Sequence, residues 1–149
     1  IIIKFMPEIY RSQEVAMSQK DLYQLVADVE NYPKFLPWCN SVAIIESTST
    51  SIIAELHCDL RGIPIEFTTR NKNFYPESIE ISLVKGPFKT LNGTWKFESL
   101  GENMCNVEFR ISWKMANFFL EKTTGLVFDQ LSQKIFDSFI RKAYETKKY

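Results

Sequence analysis

Side chains able to carry acid–base or nucleophilic chemistry are few and scattered in these 149 residues. His57 is the only histidine, and strand alternation groups it with Glu55 and Asp59 on a wet face, which predicts a surface histidine rather than a metal ligand. Glu66, Thr68 and Arg70 share one face of the next strand, a spacing that suits a solvated ion pair. Cys39, Cys58 and Cys105 are odd in number and include no Cys-x-x-Cys pair. That argues against a disulfide framework or a zinc site and for free buried thiols in a reducing compartment. No glycine-rich phosphate loop, no Gly-x-Ser-x-Gly and no cluster of histidine with carboxylates is present. The expectation is a protein that is not an enzyme and that holds neither metal nor cofactor.

The residue types present in quantity suit binding instead. There are 12 Phe and 3 Trp, and several fall in phase. Trp95 and Phe97 share a face of one strand, Phe109 and Trp113 a face of another, and Phe128, Leu131 and Ile135 continue a helical stripe. Together they are the candidate lining of an apolar cavity. Phe35, Trp38, Phe88 and Leu91 lie in stretches that read as connections, where water is the ordinary neighbour, so they are the candidate entrance. A hydrophobic lipid is the ligand such a cavity would take.

The elements that must position these residues follow from periodicity. Apolar residues make up 45% and charged residues 24%, enough for one folded core, and 18 basic residues balance 18 acidic ones. No global field attracts nucleic acid, and DNA is not an expected partner. Ile1 to Phe5 is apolar but too short for a signal core or a membrane span, and reads as an extension ahead of a start at Met6. Glu8 to Met17 is a first strand. Ser18 caps a helix striped by Leu22, Leu25, Val26 and Val29, and Asn31 to Leu36 forms a second short helix with Pro33 in its first turn. Six runs of period two come next: 42–47, 52–60, 65–73, 79–85, 94–99 and 105–115, with a loop over Gly86 to Leu91. Asn117 to Tyr144 then reads as one amphipathic helix about 40 Å long, interrupted only by Gly125. The order predicts an α+β fold, a curved antiparallel sheet of about seven strands wrapped around a long C-terminal helix.

Four stretches carry a resemblance. They are Val29-Glu30-Asn31-Tyr32-Pro33-Lys34-Phe35-Leu36-Pro37-Trp38-Cys39, Phe67-Thr68-Thr69-Arg70, Gly86-Pro87-Phe88-Lys89-Thr90-Leu91 with Trp95-Lys96-Phe97, and the Phe-rich final helix. With these the chain resembles the coenzyme Q-binding START-domain proteins, in the polyketide cyclase and lipid-transport group that also includes the bacterial ribosome association toxin. The resemblance implies a helix-grip fold and one START-like lipid-binding domain over 6–149. It implies non-catalytic binding of ubiquinone or a related polyprenyl lipid, in support of respiration or quinone synthesis. The alternative it carries is a toxin that binds the large ribosomal subunit and blocks subunit joining, with Lys85, Lys89, Lys96, Arg141, Lys142, Lys147 and Lys148 as candidate phosphate contacts. Trp38 stands where the quinone-binding branch carries Trp and the toxins often carry Gly, which favours the lipid role. Either the cytoplasm or the inner face of a respiratory membrane, as a peripheral protein, would be its place.

Overall fold

The computed structural model describes residues 8–146, so the N-terminal extension, the start at Met6 and the lysines at 147 and 148 lie outside it. Strand β1 spans Glu8–Val15, helix α1 Gln19–Ala27, and a 3-10 helix Val29–Lys34. Ser18 caps α1 as its sequence requires, its hydroxyl accepting from the Asp21 N–H at 3.2 Å. Strands β2 (Cys39–Ser47), β3 (Ser51–Leu60), β4 (Ile63–Phe74), β5 (Ser78–Lys85), β6 (Phe88–Gly101) and β7 (Met104–Met115) follow. All pair antiparallel in the order β1-β7-β6-β5-β4-β3-β2, so α1 and the 3-10 helix carry the chain from one sheet edge to the other.

The strict alternation expected of the last strand is present. Cys105, Val107, Phe109, Ile111, Trp113 and Met115 are all buried, and the residues between them face out. A two-residue turn joins β3 to β4 with φ 54° at Arg61 and 90° at Gly62, the double positive φ that matches the twist of the flanking strands. The Asp59 carboxylate accepts from the Gly62 N–H there.

The C-terminal stretch is helical and fills the concave face, but in three segments: α2 Phe118–Lys122, α3 Thr124–Ser132 and α4 Ile135–Thr146. This corrects the expectation of a single long helix interrupted only at Gly125. The Thr123 hydroxyl donates to the Phe119 carbonyl at 3.0 Å while Thr123 itself leaves helical geometry, at φ −112° and ψ −89°. Gly125 is the reason the chain re-enters so closely. A Cβ there would stand 3.1 Å from both the Leu120 carbonyl and Met115 Cγ, so only a residue without a side chain lets α3 settle on the end of β7. The second break follows a 3-10 bond from the Lys134 N–H to the Leu131 carbonyl, 3.0 Å.

A second correction concerns residues 86–91. Only Gly86 and Pro87 form the bend, β6 begins at Phe88, and Phe88 and Leu91 are 5% and 3% exposed. The bend folds onto β4, where a Cβ on Gly86 would come within 2.6 Å of Phe67 Cβ, and this approach turns the start of β6 inward. Phe88 consequently packs edge-on against Phe67 and Phe128, centroids 5.6 and 5.0 Å apart.

Candidate functional site

Between the concave face of the sheet and the final helices lies a cavity of about 90 Å³. Its walls come from the 3-10 region (Val29, Tyr32, Leu36, Trp38), from β3 to β7 (Leu56, Phe67, Thr69, Asn71, Ile81, Leu91, Trp95, Phe109, Ile111) and from the helices (Phe128, Ile135, Phe139). Tyr32, Trp38 and Ile135 are half-buried and form the rim.

Of the residues that sequence reasoning singled out, Trp38, Leu91, Trp95, Phe109, Phe128 and Ile135 line this space. Phe97, Trp113, Phe88 and Leu131 do not, and neither does Phe35. Phe97 lies behind Trp95, with parallel rings 6.3 Å apart, and Trp113 meets Phe128 edge-on at 5.1 Å, further toward α2. Leu131 is half-buried against the core on the flank of α3, because the break before Ile135 rotates its face away from that of α4. Phe35 packs on Tyr32 and Phe139, centroids 5.9 and 5.1 Å, behind the rim. Phe88 and Leu91 are interior, so neither is an exposed entrance residue.

The sequence reading missed Thr69 and Asn71. They continue the inward phase of Ile65 and Phe67 on β4 and are both buried, which a polar pair in an apolar phase signals. The Thr69 hydroxyl reaches Asn71 Oδ1 at 3.5 Å. Tyr32 is occupied: its hydroxyl donates to the Val26 carbonyl, and burial first, then the Asp28 and Cys39 charges, raise its pKa. Among the described residues the lining carries no carboxylate, imidazole or ammonium group. The cavity can hold an apolar body and pair one or two neutral polar atoms, and it offers no group for proton transfer near neutral pH.

Elsewhere, His57 sits between two carboxylates on the convex face. Its Nε2 lies 2.7 Å from Glu55 and its Nδ1 3.1 Å from Glu66. The three could be drawn around one ion, with ligand atoms inside 4.8 Å, but each nitrogen faces a different carboxylate, so the two contacts lie on opposite ring edges. All three cysteines are free and buried. Cys39 and Cys58 are directly opposite on β2 and β3, and the hydrogen bond between their thiols, with burial, drives the Cys58 pKa up.

One end of the sheet has a different character. The Ala116 N–H donates to the Pro87 carbonyl at 2.8 Å, which joins the start of β6 to the approach to α2. Around this junction stand Lys85, Lys89, Lys114 and Lys122, none in an ion pair among the described residues. Phe118 and Phe119 of α2 are 70% and 72% exposed there, with the Lys122 ammonium 4.6 Å from the Phe118 ring centre. Among the described residues no helix is long and apolar enough to cross a membrane.

A family model for polyketide cyclase / dehydrase and lipid transport proteins matches residues 15–140. The chain belongs to that family. Within the polyketide cyclase/dehydrase and lipid transport family, two curated relatives stand out. One is the ribosome association toxin RatA of Escherichia coli K12, 40% identical over 94% of this chain and 89% of its own length. The other is the persistence and stress-resistance toxin PasT of Escherichia coli CFT073, 41% identical over the same shares. The coenzyme Q-binding protein COQ10 homolog B of Xenopus laevis is 22% identical over 91% of this chain, which spans 57% of that protein. The Zhui aromatase/cyclase from Streptomyces sp. R1128 superposes with a TM-score of 0.82 at 16% identity, over 97% of both chains, which establishes the helix-grip fold and nothing of the chemistry.

Proposed function

We propose that this protein is a non-catalytic binding protein that associates with the ribosome, the alternative rather than the first of the two expectations. The observation that carries this reading is 40% identity, sustained over nearly the full length of both chains, to a protein named ribosome association toxin. The preference for the quinone branch drawn from Trp38 is outweighed by it. The surface supports the same reading. Lys85, Lys89 and Lys122, in no ion pair among the described residues, stand beside exposed Phe118 and Phe119 and combine phosphate neutralisation with rings on which unstacked bases can lie. Lys96 and Lys114 are poorer candidates, since Glu77, Glu98 and Glu108 share the depression of the first and Glu8, Glu121 and Asp129 that of the second. Ribosome association would place the working compartment in the cytoplasm. The large subunit is the target we propose, with blocked subunit joining as the consequence. Co-sedimentation with purified subunits across a salt series tests it: binding should fall steeply between low and moderate salt, and Lys85→Glu with Lys89→Glu should flatten that dependence.

The cavity favours a second reading, which can hold alongside the first: a neutral apolar ligand, with ubiquinone or another polyprenyl lipid as the specific proposal. The support is the cavity's apolar wall and the name of the distant COQ10 relative. At about 90 Å³ the space takes a ring-sized group, against the ~300 Å³ or more of pockets that enclose whole drug-sized ligands. A prenyl tail would therefore require α3 and α4 to move outward, and the breaks at Thr123 and at Gln133–Lys134 are where such movement would be absorbed. Mass spectrometry of lipids extracted from the purified protein tests this reading. A stoichiometric prenyl lipid supports it, and protein free of lipid after growth in cells that make quinone contradicts it.

A further inference from the structure

We infer that Thr69 and Asn71 form a polar anchor that receives the acceptor oxygen of a carbonyl-bearing apolar ligand in the cavity. The inference rests on the cavity reading above and is independent of ribosome association. It begins in the sequence of β4, whose inward positions run Ile65, Phe67, Thr69, Asn71. Two apolar positions are followed by two polar ones, on a strand face that every neighbouring strand meets with apolar side chains. Asn71 pairs across the sheet with Ile52 on one side and Ile81 on the other.

Asn71 is 7% exposed and lines the cavity. Thr69 turns its hydroxyl to Asn71 Oδ1, which leaves the amide –NH2 group with no hydrogen-bond partner among the described residues. A lining that needed only packing would carry Leu or Val at both positions. The free group fixes the chemistry of what would satisfy it. It donates and does not accept, so the ligand must present an acceptor. No ammonium or guanidinium borders the cavity among the described residues, so a carboxylate or phosphate head would be buried without a counter-charge, and a neutral oxygen fits. Trp95, Phe109 and Ile111 form the flat apolar wall beside it. The ligand class is thus a ketone, quinone or ester whose carbonyl points at β4 and whose remainder leaves past Tyr32, Trp38 and Ile135.

The experiment uses two probes of nearly the same shape, acetophenone and α-methylstyrene, which differ in C=O against C=CH2. Each is titrated into the whole protein by two-dimensional NMR, with the Trp95 indole N–H as the reporter of cavity occupancy. Both should shift that signal. In Asn71→Leu the ratio of the two dissociation constants should move toward α-methylstyrene by about fivefold or more, the worth of one ordinary hydrogen bond. Thr69→Val should move it in the same direction by less, since the hydroxyl orients the amide. It also serves as the test if Asn71→Leu fails to fold. An unchanged ratio in a folded variant, with both probes still shifting Trp95, overturns the anchor and leaves the cavity reading intact. Failure of both probes to shift Trp95 in the wild type overturns the cavity reading and the anchor with it.

Discussion

The last helix and the short one that begins the C-terminal stretch share an aromatic-rich composition, but α4 turns Phe136, Phe139 and Ala143 into the sheet while α2 holds Phe118 and Phe119 in solvent. Position relative to the sheet accounts for the contrast. α4 lies across the concave face, where the Trp95 ring stands 5.0 Å from Phe139 and 6.0 Å from Phe136. α2 has five residues and sits past the end of β7, where the sheet has run out. A helical period marks which residues can be buried together, and a facing surface decides whether they are. Apolar rings without that surface cost solubility unless something covers them, so the α2 end reads as an interaction site and the α4 end as core.

The largest effect that would break this comparison lies in α4. Phe139→Ala should lower unfolding stability by about 3–5 kcal/mol in a denaturant titration, because it opens a cavity among Trp95, Tyr32 and Phe35. A loss under 1 kcal/mol would show that α4 is not packed as described. Next in size is Gly125→Val at the junction between the two regions. Its added carbons meet the Leu120 carbonyl and Met115 Cγ, and about 1–3 kcal/mol should be lost through overpacking.

A pH scan sharpens the same contrast. Burial pushes the Cys105 thiol, at the far end of β7 from α2, up to about 11. The native state keeps the proton that the unfolded chain gives up, so this contribution is complete below the ordinary thiol value of 9.0 and is lost as pH rises toward about 11. The melting temperature should therefore fall between those pH values, and less so in Cys105→Ala. The smallest effect belongs to α2. Phe118→Ser and Phe119→Ser should each change stability by no more than about 0.5 kcal/mol, since both side chains are largely exposed.

Most of the scaffold was legible because its signals are local. Alternation over 105–115 marks β7, and Ser18 with Asp21 marks the start of α1. Gly125 was legible as an interruption of the C-terminal helix, but the second break near Lys134 and the inward turn of β6 were not. Gly86 turns β6 inward by touching Phe67, and Gly125 seats α3 against Met115. The site was half legible. Strand phase places Trp95 and Phe109 at the cavity, but which aromatic residues border empty space and which border one another is set by three-dimensional packing that periodicity does not encode. Thr69 and Asn71 were within reach. Glu66, Thr68 and Arg70 drew notice as chemistry-bearing, while polar residues in the apolar phase of the same strand carried the stronger signal.

Gradient sedimentation of the wild type and the Phe118→Ser/Phe119→Ser double variant with purified ribosomal subunits, at low and moderate salt, tests ribosome association through the α2 end most directly. The wild type should travel with the large subunit at low salt and release as salt rises, while the folded double variant should stay near the top of the gradient at both. A wild type that ignores both subunits at low salt, or a double variant that co-sediments as well as the wild type, would contradict the account.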